Sequence, residues 1–223
     1  VNTVKLIGIT EPSKQIKKEL GIETAEQLVA YVARVSNPTN QNNPEYARLL
    51  KYLENNKHWS PFEMVHVLME IQTTRDIARQ ILRHRSFAFQ EFSQRYAEVD
   101  STSFVTREAR LQDSKNRQNS IETVNENLSN SWTAKQQQIA HESKLAYKWA
   151  IENGIAKEQA RVVLPEGLTM SRMYMSGSLR SWIHYCELRM ANGTQKEHRE
   201  VANMCWGIIV GQFFSLKEIL NND

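Results

Sequence analysis

Residues 65–83 read Val65-His66-Val67-Leu68-Met69-Glu70-Ile71-Gln72-Thr73-Thr74-Arg75-Asp76-Ile77-Ala78-Arg79-Gln80-Ile81-Leu82-Arg83, and their hydrophobic period changes partway along. Val65, Val67, Met69 and Ile71 alternate with His66, Leu68, Glu70 and Gln72, the period of two that marks a half-buried strand. From about Arg75 to Arg83 a helix is expected. On the N-terminal side, Val4 to Ile9 reads as a short strand. Thr24 to Gln27 has capping-box spacing ahead of Leu28, Tyr31, Val32 and Val35 at helical intervals. A second helix is expected from Pro44, with Tyr46, Leu49, Leu50 and Leu53 on one face. On the C-terminal side, Gln112 to Ser120 has almost no apolar residue and predicts a mobile solvated loop. A long helix follows, ending at Asn153 before Gly154, a natural C′ residue. Leu179, Trp182, Ile183 and Cys186 line the apolar face of another helix, opposite Arg180, His184 and Glu187. The last helix is expected to open on a capping box, Thr194 to Glu197, and to bury Val201, Met204, Cys205 and Ile208. Helices outweigh strands, and the strands are scattered among them. The expected fold is α/β (α+β): a single domain over residues 1–223 with a small, mostly antiparallel sheet flanked by helices.

Composition narrows the function classes. The chain has 223 residues, 40% hydrophobic and 24% charged, within the range of a soluble globular domain. The net charge of +3 is too small to identify a nucleic-acid binder by itself, although it suits an anionic ligand. No apolar run approaches the ~20 residues of a membrane span. Val1 to Thr10 lacks the pattern of a signal peptide. Cys186 and Cys205 fall in apolar-periodic segments, so each is expected to be a buried thiol in a cytoplasmic protein.

The densest chemistry lies between Arg75 and Tyr96. Arg75, Arg79 and Arg83 recur at i, i+4, i+8 and would share a helix face, where like charges repel unless anions lie among them. Arg85 and Arg95 add guanidiniums able to grip a phosphate bidentately. Phe87, Phe89, Phe92 and Tyr96 interleave with the charges, a mixture suited to stacking flat rings while holding phosphates. A solvated basic face is the simplest alternative. A nucleic-acid-binding module built on residues 75–96 is the functional rival. There is no G-x-G-x-x-G after a strand, so a dinucleotide here would have to be held by side chains.

Arg83-His84-Arg85, seven residues and then Ser93 resembles the RHR-x7-S signature of the flavin-dependent thymidylate synthases. Ala33-Arg34-Val35-Ser36, His58-Trp59-Ser60-Pro61-Phe62-Glu63, Arg161-Val162-Val163-Leu164-Pro165 and Ser178-Leu179-Arg180-Ser181 resemble the family's other segments, in the family's order. The resemblance implies reductive methylation of dUMP to dTMP. Methylene-tetrahydrofolate would be the carbon donor, and FAD would carry reducing equivalents from NADPH. It implies that Gln80, Arg83, Glu91, Ser93, Arg95, Arg161 and Arg189 contact dUMP. It implies that Ser60, Arg83, His84, Arg85, Glu91, Ser178, Arg180 and His184 contact FAD. Arg189 and His58 would be the catalytic pair, with Arg189 stabilising an anionic uracil edge and His58 near folate and pyrimidine. A homotetramer whose sites draw on several subunits is implied too, with no nucleic-acid or membrane partner. A flavin oxidoreductase with another acceptor is a further alternative.

The chain departs from the family pattern at Ala88 and Gln90, where Ser and Asn are usual, and at Ser178 and His184, where Asn is frequent. Altered flavin contacts are expected, without loss of function. Ser93 is expected to bind rather than attack, since its charged neighbour Arg95 cannot act as a base. His58 and His66 lack zinc-site spacing, so no metal is expected. His141 and His198 sit among polar helix residues and are expected to be solvated.

Overall fold

A computed structural model of the chain describes residues 2–99 and 104–217. Six strands and eight helices are seen among them. The strands are β1 (Thr3–Ile9), β2 (His66–Thr74), β3 (Ala88–Glu91), β4 (Arg110–Gln112), β5 (Ser120–Glu122) and β6 (Met170–Ser178). The helices are α1 (Lys14–Leu20), α2 (Ala25–Ala33), α3 (Ala47–Asn55), α4 (Arg75–Ile81), α5 (Glu126–Glu152), α6 (Lys157–Ala160), α7 (Leu179–Met190) and α8 (Lys196–Gln212). Four strands form an antiparallel sheet in the order β1-β2-β6-β3. The fold is α+β. No described helix is long and apolar enough to cross a membrane.

The alternation that predicted β2 works as expected: Val65, Val67, Met69 and Ile71 are all buried. With Met173 and Met175 of β6 they meet Leu179, Trp182 and Ile183 of α7 and Val201, Cys205 and Ile209 of α8 in the main core. The exposed residues of the opposite face include Lys5, Gln90 and Arg172. The helical layer therefore covers one face, rather than flanking both. A smaller core joins Val99, Tyr147, Ala150, Ala160 and Leu164. Between the two cores, Arg107 donates to both carboxylate oxygens of Asp76 at the start of α4, while its backbone pairs with Gln136 of α5.

Registers carry the site. β2 and β6 pair from His66↔Ser178 to Thr74↔Met170, and each runs straight into a helix. α4 thus starts at one end of the sheet and α7 at the other. After α4 the chain turns through residues 82–87 and returns as β3, with Ala88 opposite Ser176. This return sets Ser86 beside the first turn of α7, where Ser181 Oγ donates to the Ser86 carbonyl at 3.4 Å.

Several local expectations need correction. α3 begins at Ala47 rather than Pro44, and the stretch before it carries the carbonyls of Asn43 and Glu45 that accept from buried Arg34. The Thr24–Gln27 capping box forms, but the one at Thr194 does not: α8 starts at Lys196, and Thr194 Oγ1 donates back to the Leu188 carbonyl. Met204 is exposed, because the buried stripe of α8 runs through His198, Val201, Ala202, Cys205 and Ile209. Residues 112–120 are not a structureless loop. Gln112 and Ser120 pair at the tip of the β4–β5 hairpin, and Asp113 organises the turn by accepting from Lys115 N and Asn119 Nδ2. α5 ends as read, with Asn153 then Gly154 at φ 75°.

Candidate active site

The turn after α4 and the C-terminal half of α7 meet in one direct contact. Arg189 Nε donates to His84 Nε2 at 2.9 Å. His84 therefore carries its proton on Nδ1 and is neutral. Burial, then the neighbouring Arg189 and Arg83 charges, push its pKa down to about 4. The His84 ring stands edge-on to Tyr185 at 4.9 Å. Arg83 and Arg85 lie on the surface on either side of it. The helix α4 has ended by then, so Arg83 does not continue a face shared with Arg75 and Arg79. Arg75 is buried, 3.6 Å from Glu91, and Arg79 pairs with Glu166 outside.

Ser86, two residues on from His84, helps line a polar cavity of about 320 Å³ with Glu63, His66, Ser178, Arg180, Ser181 and His184. The cavity lies at the N-terminus of α7, where the Leu179 N–H is taken by the Val65 carbonyl and the helix dipole favours anions. Ser178 is the N-cap and accepts from the Ser181 N–H. Asparagine caps equally well, which explains why serine can stand where the family often has asparagine. Arg180 Nη1 donates to Glu63 at 2.8 Å. Burial opposes ionisation of Glu63, but hydrogen bonds from Arg180 and Ser178 outweigh it and hold the carboxyl below its ordinary range. Arg180 Nε is buried with no partner among the described residues, a donor left over for a ligand. His184 meets Trp59 edge-on at 4.6 Å, and desolvation, then Arg180, lower its pKa. His58 and Ser60 are exposed on either side of Trp59, the residue that meets His184.

A further group forms elsewhere. Arg95 pairs with Glu158 at 3.4 Å, and Arg161 Nε donates to the Glu158 carbonyl at 3.3 Å. Ser93 Oγ accepts from Arg95 N. Glu91 is held by Ser171 Oγ at 2.7 Å and by Arg75. Among the described residues no hydrogen bond or ion pair joins Ser93, Arg95 and Arg161 to the Arg180–His184 cavity. One chain brings Ser178, Arg180 and His184 to one cavity and joins His84 to Arg189, while Glu91 is engaged by Ser171 and Arg75, and Ser93, Arg95 and Arg161, expected to contact dUMP, form a separate group.

The expectation for His198 is overturned. It is wholly buried between Tyr185 Oη and Gln80 Oε1, each at 3.2 Å, and burial drives its pKa down to about 3. Its polar sequence neighbours hid it, although its spacing to Val201, Ala202 and Cys205 marks the buried stripe. Tyr185 carries no local signal of its place beside His198, and the part that Glu63, His66 and Gln195 take in the site does not show in their spacing. His141 is exposed, and both cysteines are buried and free. The aromatic residues between Arg83 and Tyr96 do not form a stacking platform. Phe87 is buried against Trp182 at 4.9 Å and Phe89 packs on the core. Phe87 and Phe89 are thus unavailable for stacking, while Tyr96 stays 80% exposed, so residues 75–96 do not offer the continuous aromatic face a nucleic-acid module would use.

Fold and site define a mixed α+β protein with a polar cavity at a helix N-terminus, lined by serines, histidines and an Arg180–Glu63 pair. Residues 20–213 match the sequence model of the thymidylate synthase complementing proteins. The chain is 50% identical over 220 residues to the "Probable flavin-dependent thymidylate synthase" of Paramecium bursaria Chlorella virus 1, covering 98% of this chain and 99% of that one. It is 49% identical over 199 residues to the flavin-dependent thymidylate synthase of Synechocystis sp., covering 89% and 90% respectively. In fold it is similar to a UMP/dUMP methylase from Streptomyces cacaoi solved with 5-Br dUMP, with a TM-score of 0.80, 23% identity, and 97% and 94% of the two chains covered. The chain belongs to the thymidylate synthase complementing protein family, the flavin-dependent thymidylate synthases.

Proposed function

We propose that the chain makes dTMP from dUMP by flavin-dependent reductive methylation, with methylene-tetrahydrofolate as carbon donor and NADPH as reductant. The observation that carries this reading is the direct Arg189–His84 contact, which joins the RHR signature turn, whose Ser86 lines the polar cavity, to the α7 arginine. FAD, when bound, supplies the reducing equivalents. The residues fit such a group: Ser178, Arg180 and His184 line the cavity, Ser86 of the same turn as His84 and Arg85 lines it too, and Ser60 adjoins Trp59, whose ring meets His184. Arg83 and Glu91 complete the flavin set assigned by sequence.

On the nucleotide side, Arg189 keeps its charge at every working pH and offers a planar fork to the N3–C2 edge of uracil. With Nε committed to neutral His84, its Nη groups remain for that edge. Gln80 and Arg83 approach from the end of α4. His58 stands exposed beside Trp59 for folate and pyrimidine. Ser93, Arg95 and Arg161 hold the phosphate, and their distance in contact terms from the cavity supports a site shared between subunits. Self-association as a homotetramer follows from this reading. It is supported by exposed apolar residues on α5, among them Leu145 at 50% and Trp149 at 61% exposure. A cytoplasmic location accords with two free buried thiols.

The test is the absorbance spectrum of the purified protein. Wild type should show a flavin band that changes on adding dUMP, and Arg180→Ala should weaken flavin retention. A colourless protein that does not take up added FAD refutes the proposal. A flavin-bearing protein that oxidises NADPH without any need for dUMP would instead be an oxidoreductase with another acceptor.

A further inference from the structure

A chain of hydrogen bonds runs inward from the β4–β5 hairpin to the main core, and its direction can be deduced. Glu197 accepts at both oxygens, from Arg110 Nη2 and from Gln195 Nε2, the latter at 3.0 Å. Its pairing with Arg110 keeps it a carboxylate against the cost of burial, so it can only accept. Gln195 must then turn Nε2 toward Glu197 and Oε1 toward Gln80. Gln80 answers with Nε2, at 2.8 Å, which leaves its Oε1 facing His198 Nδ1 at 3.2 Å. His198 must carry its proton on Nδ1, and its Nε2 accepts from the Tyr185 hydroxyl at 3.2 Å. Every link from Tyr185 to Glu197 is satisfied in one sense only. Reversing any one link would set two donors or two acceptors against each other in a buried place, which is costly.

We infer that His198 is a positioning residue for the nucleotide: Gln195 sets which way the Gln80 amide faces, and the His198 Nδ1–H is the second anchor that holds that amide in place, with one N–H and one carbonyl lone pair left for ligand. Without it the Gln80 amide keeps its sense but hangs from Gln195 alone and can swing away from the nucleotide. The locked amide selects a nucleotide presenting an acceptor and a donor in the matching order. This deepens the proposed function and rests on its reading of Gln80 as a dUMP contact. The histidine is suited to the task because it is fully buried and stays neutral, so its tautomer does not change through the working pH range. The outer end of the chain, Arg110, belongs to β4, so the hairpin's placement reaches the nucleotide through Gln80.

Three substitutions separate orientation from packing. His198→Asn places an amide N–H near the position of Nδ1 and can still donate to Gln80. His198→Gln mimics the Nε2 end instead, and His198→Phe fills the space without a donor. Dissociation constants for dUMP and for FAD are measured on each flavin-loaded protein. Phe and Gln should weaken dUMP about tenfold, the loss of roughly one oriented hydrogen bond, while FAD affinity stays near wild type. Asn should recover most of the dUMP affinity. Normal dUMP affinity in the Phe variant overturns the inference, and so does equal loss in Asn and Phe, the pattern of a packing role alone. In parallel, imidazole nitrogen NMR of wild type should show His198 as the neutral Nδ1–H tautomer near pH 6. The Nε2–H tautomer would overturn the inference even if every variant misfolds. A wild type that binds FAD but no dUMP would refute the functional reading instead.

Discussion

At the scale of single residues, Arg189 is the sharpest case. Its Nε is spent on His84, so only the two Nη groups remain for a ligand, and a lysine in its place could not serve both partners. Arg189→Lys should lower kcat on dUMP by on the order of 100-fold, the loss of ~3 kcal/mol of transition-state contact. Near-normal turnover would make Arg189 a helix-end cation. Ser93 leads to a different expectation. Its Oγ accepts from Arg95 N, and no base is hydrogen-bonded to it among the described residues. Ser93→Ala should raise the KM for dUMP while leaving residual turnover, and intact-protein mass spectrometry during turnover should find no nucleotide adduct on Ser93 in wild type. Two histidines give a pH signature. His84 and His198 fall from the ordinary value near 6.5 to about 4 and about 3. The unfolded chain takes up protons below pH 6.5 that the folded chain refuses. Stability should be unaffected by these groups above that pH and fall progressively as pH drops toward 3, by up to roughly 4 kcal/mol for His198 alone. Urea midpoints from pH 7 to pH 4 test this, and a His198→Phe variant should show a shallower decline.

At the scale of elements, β6 approaches the signature turn closely at Gly177. A Cβ on Gly177 would lie 2.5 Å from Phe87 Cδ1, and Phe87 is wedged against Trp182 of α7. Phe87 follows directly on Arg83 to Ser86, so moving its ring moves the turn. Gly177→Ala should cost about 1–3 kcal/mol and also weaken FAD binding, read by thermal melting and by flavin titration. An unchanged flavin affinity would show that the turn is held independently of Phe87. The same elements show what the sequence revealed and what it hid. β2, α7 and the end of α5 were legible because their periods are strong and their termini carry recognisable signals. α8 misled, since Thr194 to Glu197 has the right spacing for a box while Glu197 is taken by Arg110 and Gln195. The signature turn and the α7 arginines were legible as a motif. The burial of Arg75, Phe87 and His198 was not, because it depends on which distant segments fold over them.

At the scale of the whole molecule, the split between the Arg180–His184 cavity and the Ser93–Arg95–Arg161 group bears on assembly. If subunits complete each other's sites, activity and association should be lost together. Sedimentation of wild type should give a tetramer, and Trp149→Glu, which sets a charge on an exposed apolar stretch of α5, should yield smaller species with much less turnover. A fully active wild-type monomer would contradict the expectation.

The strand order has a consequence for how such a chain comes into being. No two neighbours in the four-stranded sheet are joined by a hairpin, since β2 finds β6 only after about a hundred intervening residues, and β3 must wait for β6 as well. Loop closure must be met before these pairings give anything back, which makes folding slow. On the ribosome, a nascent chain emerging up to residue 169 would have β2 paired on one side only, with its apolar face uncovered by α7 and α8. The sheet is therefore completed only once β6 has been made, and a chain cut short before Met170 should aggregate rather than form a smaller stable protein.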